Sequence, residues 1–142
     1  MKIKVLLVDD ENEFVDTLAQ RLDLRDISVT TSYSGEGAME LAEKIDFDVI
    51  VLDVQMPGIS GIDVLKQLKQ TKPNTPIIML TGEATVENAI QGMKLGAFDF
   101  LMKPTDTDQL TKKITQAYAI KHEHEERIRK AEVDNIIKTR GW

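Results

Sequence analysis

The chain has 142 residues, 42% hydrophobic and 30% charged, which is the composition of one globular domain with a real core rather than a disordered tail or two large domains. A formal net charge of −6 argues against a direct nucleic-acid partner, because nothing would neutralise phosphates by bulk attraction. No apolar run approaches the roughly 20 residues of a membrane span, and the lack of cysteine removes disulfides and thiolate metal sites, so a cytoplasmic location is expected.

The first apolar run, Ile3–Val8, reads as a strand and stops abruptly at Asp9 and Asp10, too early for a secretory leader. Phe14, Leu18 and Leu22 then recur at fours, the spacing of a helix face. A second strand is predicted over Ile27–Ser32, followed by the helical stripe Ala38, Leu41, Ala42 and Ile45. The third strand, Val49–Leu52, delivers Asp53; Pro57-Gly58 breaks the chain before the stripe Ile62, Leu65, Leu68. Pro73 to Pro76 precede a fourth strand, Ile77–Leu80, which ends at Thr81. Val86, Ala89, Ile90 and Met93 form the fourth stripe, closed by Gly96, and the fifth strand, Phe98–Met102, runs into Lys103-Pro104. A last helix begins near Thr105 and turns Leu110, Ile114 and Ala117 to the core.

Near-continuous apolar strands alternating with helices imply an α/β fold, a parallel sheet covered on both faces. One domain over residues 1–120 is expected, with residues 121–142 as a helical extension or linker. In the extension Glu123–Arg127, Glu125–Arg129 and Glu126–Lys130 are acid-before-base pairs four apart, each expected to support a helix by about 0.2–0.5 kcal/mol. Leu110, Ile114, Ala117, Ile128 and Ala131 keep a heptad register that Lys121, His124 and Asn135 interrupt, the outline of a possible homodimer. His122 and His124 read as residues of a solvated helix.

The residues just past the strands are the strongest feature. Asp9, Asp10, Asp53, Thr81 and Lys103 all lie at carboxyl ends, and an open parallel sheet binds its ligands outside those ends. Clustered carboxylates need a compensating charge. With no cysteine and no nearby histidine the donors are oxygens, which suit Mg²⁺. Separately, Asp9 and Asp10 could start a helix, Thr81 could cap one, and Lys103 could be a surface lysine. Together they suit Asp53 as a nucleophile that accepts a phosphoryl group, with Lys103 neutralising oxygens and Thr81 donating its hydroxyl. Two other readings stay open. One is a phosphohydrolase working through an aspartyl phosphate, although such enzymes want a second aspartate where Gln55 stands; the other is a protein-binding scaffold that is never phosphorylated. A nucleotide-binding module is disfavoured, because DDENE is not glycine-rich and would repel phosphates.

VDD, LDVQMPGISGID, LTGEA and FLMKP, in this order over about residues 2–120, resemble the response-regulator receiver domains of two-component signal transduction. The resemblance implies a flavodoxin-like, doubly wound five-stranded sheet of order 2-1-3-4-5 with five flanking helices. It implies Asp53 as phosphoacceptor, and Asp9, Asp10, Asp53 and the backbone carbonyl of Gln55 as the Mg²⁺ ligands. Thr81 and Phe100 would be switch residues, Phe100 standing where many members have tyrosine, and Lys103 would pair with the phosphoryl group. Gln55 and Glu83 occupy positions that tune attack by water. The donor would be a sensor histidine kinase, and the chain would catalyse only its own phosphorylation and dephosphorylation. A downstream protein or output domain would bind the face from about Ala84 to Ala119.

Overall fold

The computed structural model describes residues 2–82 and 86–139. Five strands and five helices alternate: β1 (Ile3–Val8), α1 (Asn12–Asp23), β2 (Ile27–Ser32), α2 (Gly35–Lys44), β3 (Val49–Asp53), α3 (Gly61–Thr71), β4 (Ile77–Thr81), α4 (Val86–Lys94), β5 (Asp99–Met102) and α5 (Thr107–Thr139). The strands form one parallel sheet in the order β2-β1-β3-β4-β5, as the resemblance implies.

The continuous apolar strands are explained by two cores, one on each face. Leu6 and Val8 of β1, Ile50 and Leu52 of β3, and Ile77 and Met79 of β4 pack under α2, α3 and α4. Their neighbours Val5, Leu7, Val49, Val51, Ile78 and Leu80 pack under α1 and α5. Successive side chains point to opposite faces, and here both faces are covered.

Helix starts follow local chemistry. Ser34 and Ser60 accept from the amides of Gly37 and Asp63, capping α2 and α3. The last helix starts at Thr107 rather than near Thr105, because the Asp106 carboxylate accepts from the Asp108 amide and its carbonyl from the Leu110 amide, which makes Asp106 the cap. A Cβ on Gly61 would collide with the Asp53 carbonyl oxygen, so only glycine lets α3 begin this close to the tip of β3. The Lys103–Pro104 bond is cis.

The boundary expected at residue 120 falls inside one unbroken helix. Ile120 is exposed, whereas Lys121 is 7% exposed and donates from Nζ to the Phe47 carbonyl at 2.9 Å. The extension makes a different ion pair from those expected of Arg129: it meets Glu126 at 2.9 Å, three residues back, not Glu125, while Glu125 lies 3.7 Å from Lys121. No described helix is long and apolar enough to cross a membrane.

Candidate functional site

Val8 pairs with Leu52, and Asp53 with Leu80, so the residues that end β1, β3 and β4 emerge along one edge of the sheet. The pairing continues beyond β5, where the Lys103 amide donates to the Thr81 carbonyl at 2.7 Å. The strand registers therefore gather Asp9, Asp53, Thr81 and Lys103. Side-chain oxygens of Asp9, Asp10 and Asp53 lie within 4.8 Å of one another.

The two adjacent aspartates have different fates. Asp9 is fully buried and Asp10 is exposed, as expected when neighbours leave a strand on opposite sides. Asp9 does not cap α1 with its side chain; its Oδ1 accepts from the amide of Glu11, the residue before the helix. Its Oδ2 lies 2.6 Å from Lys103 Nζ. Asp53, 4% exposed, accepts from the Gln55 amide at 3.3 Å and lies 3.5 Å from Lys103.

Lys103 is therefore held between two buried carboxylates. Glu11 adds a third contact at 3.3 Å, and the Phe14 ring lies 4.9 Å from the ammonium, within cation–π range. Burial works against the ammonium, but Asp9, Asp53 and Glu11 outweigh it and hold its pKa above the ordinary lysine value. Asp53 goes the other way. Burial first, then the Asp9 charge, push its pKa up to about 6; Lys103 and the Gln55 amide offset only part of this. One ammonium does not balance three carboxylates, two of them buried, and their all-oxygen set fits a divalent cation such as Mg²⁺.

Thr81 is 1% exposed, and its hydroxyl has no hydrogen-bond partner among the described residues. A buried unpaired hydroxyl costs stability, which is tolerable where a ligand supplies the partner. By strand alternation Thr81 falls on the same face as Met79, and Phe100 pairs with Met79 and packs half-buried into that core. Thr81 and Phe100 thus share the face covered by α3 and α4. Gln55 is exposed, and only its backbone amide reaches Asp53. Glu83 lies outside the described residues.

Sequence reasoning missed Glu11 and Phe14 as neighbours of Lys103. The stretch DDENEF held a signal: an acid and an aromatic directly after the aspartate pair open a helix beside the same sheet edge. Phe14 reads as part of the apolar face of α1, and it does pack against that core, partly buried.

The sequence matches the response regulator receiver domain over residues 5–115. The chain belongs to that family. It is 40% identical over 111 residues, 78% of its length and 47% of the relative's, to the transcriptional regulatory protein CpxR of Klebsiella pneumoniae. Among solved structures it resembles a receiver domain from Clostridium thermocellum, with a TM-score of 0.81, 33% identity, and coverage of 84% of this chain and 97% of that one. It also resembles a structure described as adenylate cyclase from Rhodopirellula baltica, with a TM-score of 0.83, 32% identity, and coverage of 92% and 99%. The chain spans about half the length of the curated relatives it matches. As a receiver domain it is a module of two-component signalling.

Proposed function

We propose that Asp53 accepts a phosphoryl group from a phosphohistidine of a sensor histidine kinase. The convergence of Asp9, Asp10 and Asp53 on one another, with Lys103 bridging the two buried acids, carries this reading. Asp9, Asp10, Asp53 and the Gln55 carbonyl would hold Mg²⁺, which when bound supplies charge neutralisation at the phosphoryl oxygens. In the transfer an Asp53 oxygen forms a bond to phosphorus as the bond from histidine nitrogen breaks. Asp53 must be ionised to attack, and the Lys103 charge 3.5 Å away favours that form. Lys103 also faces the incoming phosphoryl oxygens, while the unpartnered Thr81 hydroxyl donates to one of them. Loss of the group follows attack of water on phosphorus, with Asp53 as leaving group; the chain thereby catalyses its own phosphorylation and dephosphorylation and nothing else.

The signal is a two-state shift. Engagement of Thr81 draws the β4 end toward Asp53 and relieves the packing around Phe100 on the same sheet face. Moving such a domain from mostly off to mostly on takes about 5.5 kcal/mol of differential stabilisation. The responding surface, between about positions 84 and 119, carries Ile90, Met93 and Met102 at 52%, 39% and 41% exposure, an apolar face for a downstream protein or output domain in the cytoplasm. Ala84 itself lies outside the described residues.

The test is incubation with a small-molecule phosphodonor and Mg²⁺, then mass spectrometry and peptide mapping. One phosphoryl group on Asp53, absent from Asp53→Asn, supports the reading. No phosphorylation favours the scaffold, and turnover of a large excess of phosphate ester favours the phosphohydrolase.

A further inference from the structure

The edge of the sheet opposite Asp53 gathers charge of the other sign. Pro76 and Phe98 stand immediately before β4 and β5, and the Phe98 amide donates to the Ile77 carbonyl at 2.8 Å, so the two strand entries lie side by side. With the end of α3 and the stretch of α5 that leaves the body, they line a cavity of about 210 Å³. Two lysines line it, Lys69 of α3 and Lys121 of α5, with Asn74 and His124 as further polar neighbours. No aspartate or glutamate is among its described lining residues, in a chain with 24 acids against 18 lysines and arginines.

Neither lysine is a loose surface chain. Lys121 is 7% exposed and donates to the Phe47 carbonyl; the acids that face it, Glu125 at 3.7 Å and Asp48 at 4.0 Å, stand outside the lining. Lys69 is half-buried, and its stem passes so close to the α4–β5 turn that a Cβ on Gly96 would meet its Cε at 3.3 Å. Its Nζ donates to the Pro73 carbonyl at 3.0 Å. That carbonyl occupies one hydrogen and brings no countercharge. Among the described residues no acid pairs with Lys69, and burial, unopposed, pulls its pKa below the ordinary lysine value. A half-buried cation without a countercharge, fixed beside a cavity, is complementary to an anion from outside the chain.

We propose that this cavity binds a small organic carboxylate with a compact apolar body. Lys69 meets the carboxylate, and Lys121 adds a second cation to the wall. Phe98, Pro76 and Ile120, the last 53% exposed, cover the apolar body. Burial of that surface favours such a molecule over a bare inorganic anion, which has no apolar area to remove from water. The volume lies below the roughly 300–1,000 Å³ of pockets for drug-sized ligands, which restricts the occupant to a molecule of the order of benzoate or isovalerate. The site stands at the far edge of the sheet from Asp53 and needs no phosphoryl group there.

Titration of the full chain with benzoate and with isovalerate, followed by amide NMR shifts, tests it. Saturable binding with a dissociation constant of about 1 mM or tighter is expected for at least one of them, with the shifts centred on residues 69–76, 96–98 and 120–124. Benzamide is neutral at nearly the same shape, and acetate is charged without the body; each should bind about tenfold more weakly or worse. Lys69→Met keeps the stem, removes the charge and should weaken the carboxylate about tenfold, whereas Lys69→Arg should retain most of the affinity. The amide spectrum of each variant shows directly that it is folded, and the benzamide comparison needs no variant. The proposal is overturned if neither carboxylate saturates below about 10 mM, if benzamide or acetate binds as well as the stronger carboxylate, if Lys69→Met binds as tightly as the parent, or if the shifts centre on the Asp53 edge.

Discussion

The carboxyl edge of the sheet and the free half of α5 use charge in opposite ways. At the sheet edge, three carboxylates and one lysine are crowded together, two of the acids buried, and burial, followed by the neighbouring Asp9 charge, raises the pKa of Asp53 to about 6. Along α5 past Lys121, charges are spread over solvent, and the Glu126–Arg129 pair is an exposed contact of the kind that contributes little. Concentrated, unbalanced charge marks chemistry; dispersed, balanced charge marks a solvated helix. The distinction lies in burial, so it can be attacked by measurement.

The largest contrast is within α5 itself. Ile114→Ala removes a side chain that is fully buried and should destabilise the domain by about 2–5 kcal/mol, whereas Ile136→Ala, at a residue 54% exposed, should change it by less than about 0.5 kcal/mol. Urea unfolding at a concentration where the protein is monomeric checks both. Equal effects would mean that the extension shares the core.

Next come the buried Asp53 carboxylate and the Asp9 charge beside it. A carboxylate whose folded pKa is about 6 against 3.8 holds its proton in the native state through that window, so its contribution to stability falls as pH rises from 3.8 to 6. Asp53→Asn removes that penalty. In metal-free protein at pH 7 it should raise stability by about 1–3 kcal/mol, and the gain should vanish below pH 4, as seen by thermal melts across pH. A variant no more stable than the parent would show that Asp53 is already balanced.

Lys121→Met comes third. It leaves the Phe47 carbonyl without its donor, for a loss of about 1–2 kcal/mol and faster amide exchange where α5 leaves the body. Arg25→Ala should cost least. It removes the Arg25–Asp108 pair that ties the end of α1 to the start of α5, but the pair is exposed, and less than about 1 kcal/mol is expected in urea.

These contrasts follow what was legible in the sequence. The strands β1, β3 and β4 could be read because their apolar runs, under two cores, are nearly unbroken, and the site-bearing strand ends could be read because Asp9, Asp53, Thr81 and Lys103 follow apolar residues abruptly. What escaped depends on partners far along the chain. Lys121 reads as one more solvated lysine until Phe47, 74 residues earlier, offers its carbonyl. The contacts of Glu11 and Phe14 with Lys103 join residues about ninety positions apart. Arg129 choosing Glu126 over Glu125 is a rotamer choice between near-equal alternatives, which spacing does not decide. That Asp9 is buried and Asp10 exposed follows from strand alternation, once Val8 is known to end the strand.

Whether the carboxylate cluster holds a divalent cation can be measured by a Mg²⁺ titration of folding stability at pH 7, comparing the parent with Asp53→Asn. A cation bound by the carboxylate cluster favours the native state by mass action. Mg²⁺ should stabilise the parent progressively and narrow or reverse the advantage of Asp53→Asn. Mg²⁺ that leaves both proteins unchanged, or stabilises both equally, would contradict cation binding by the cluster.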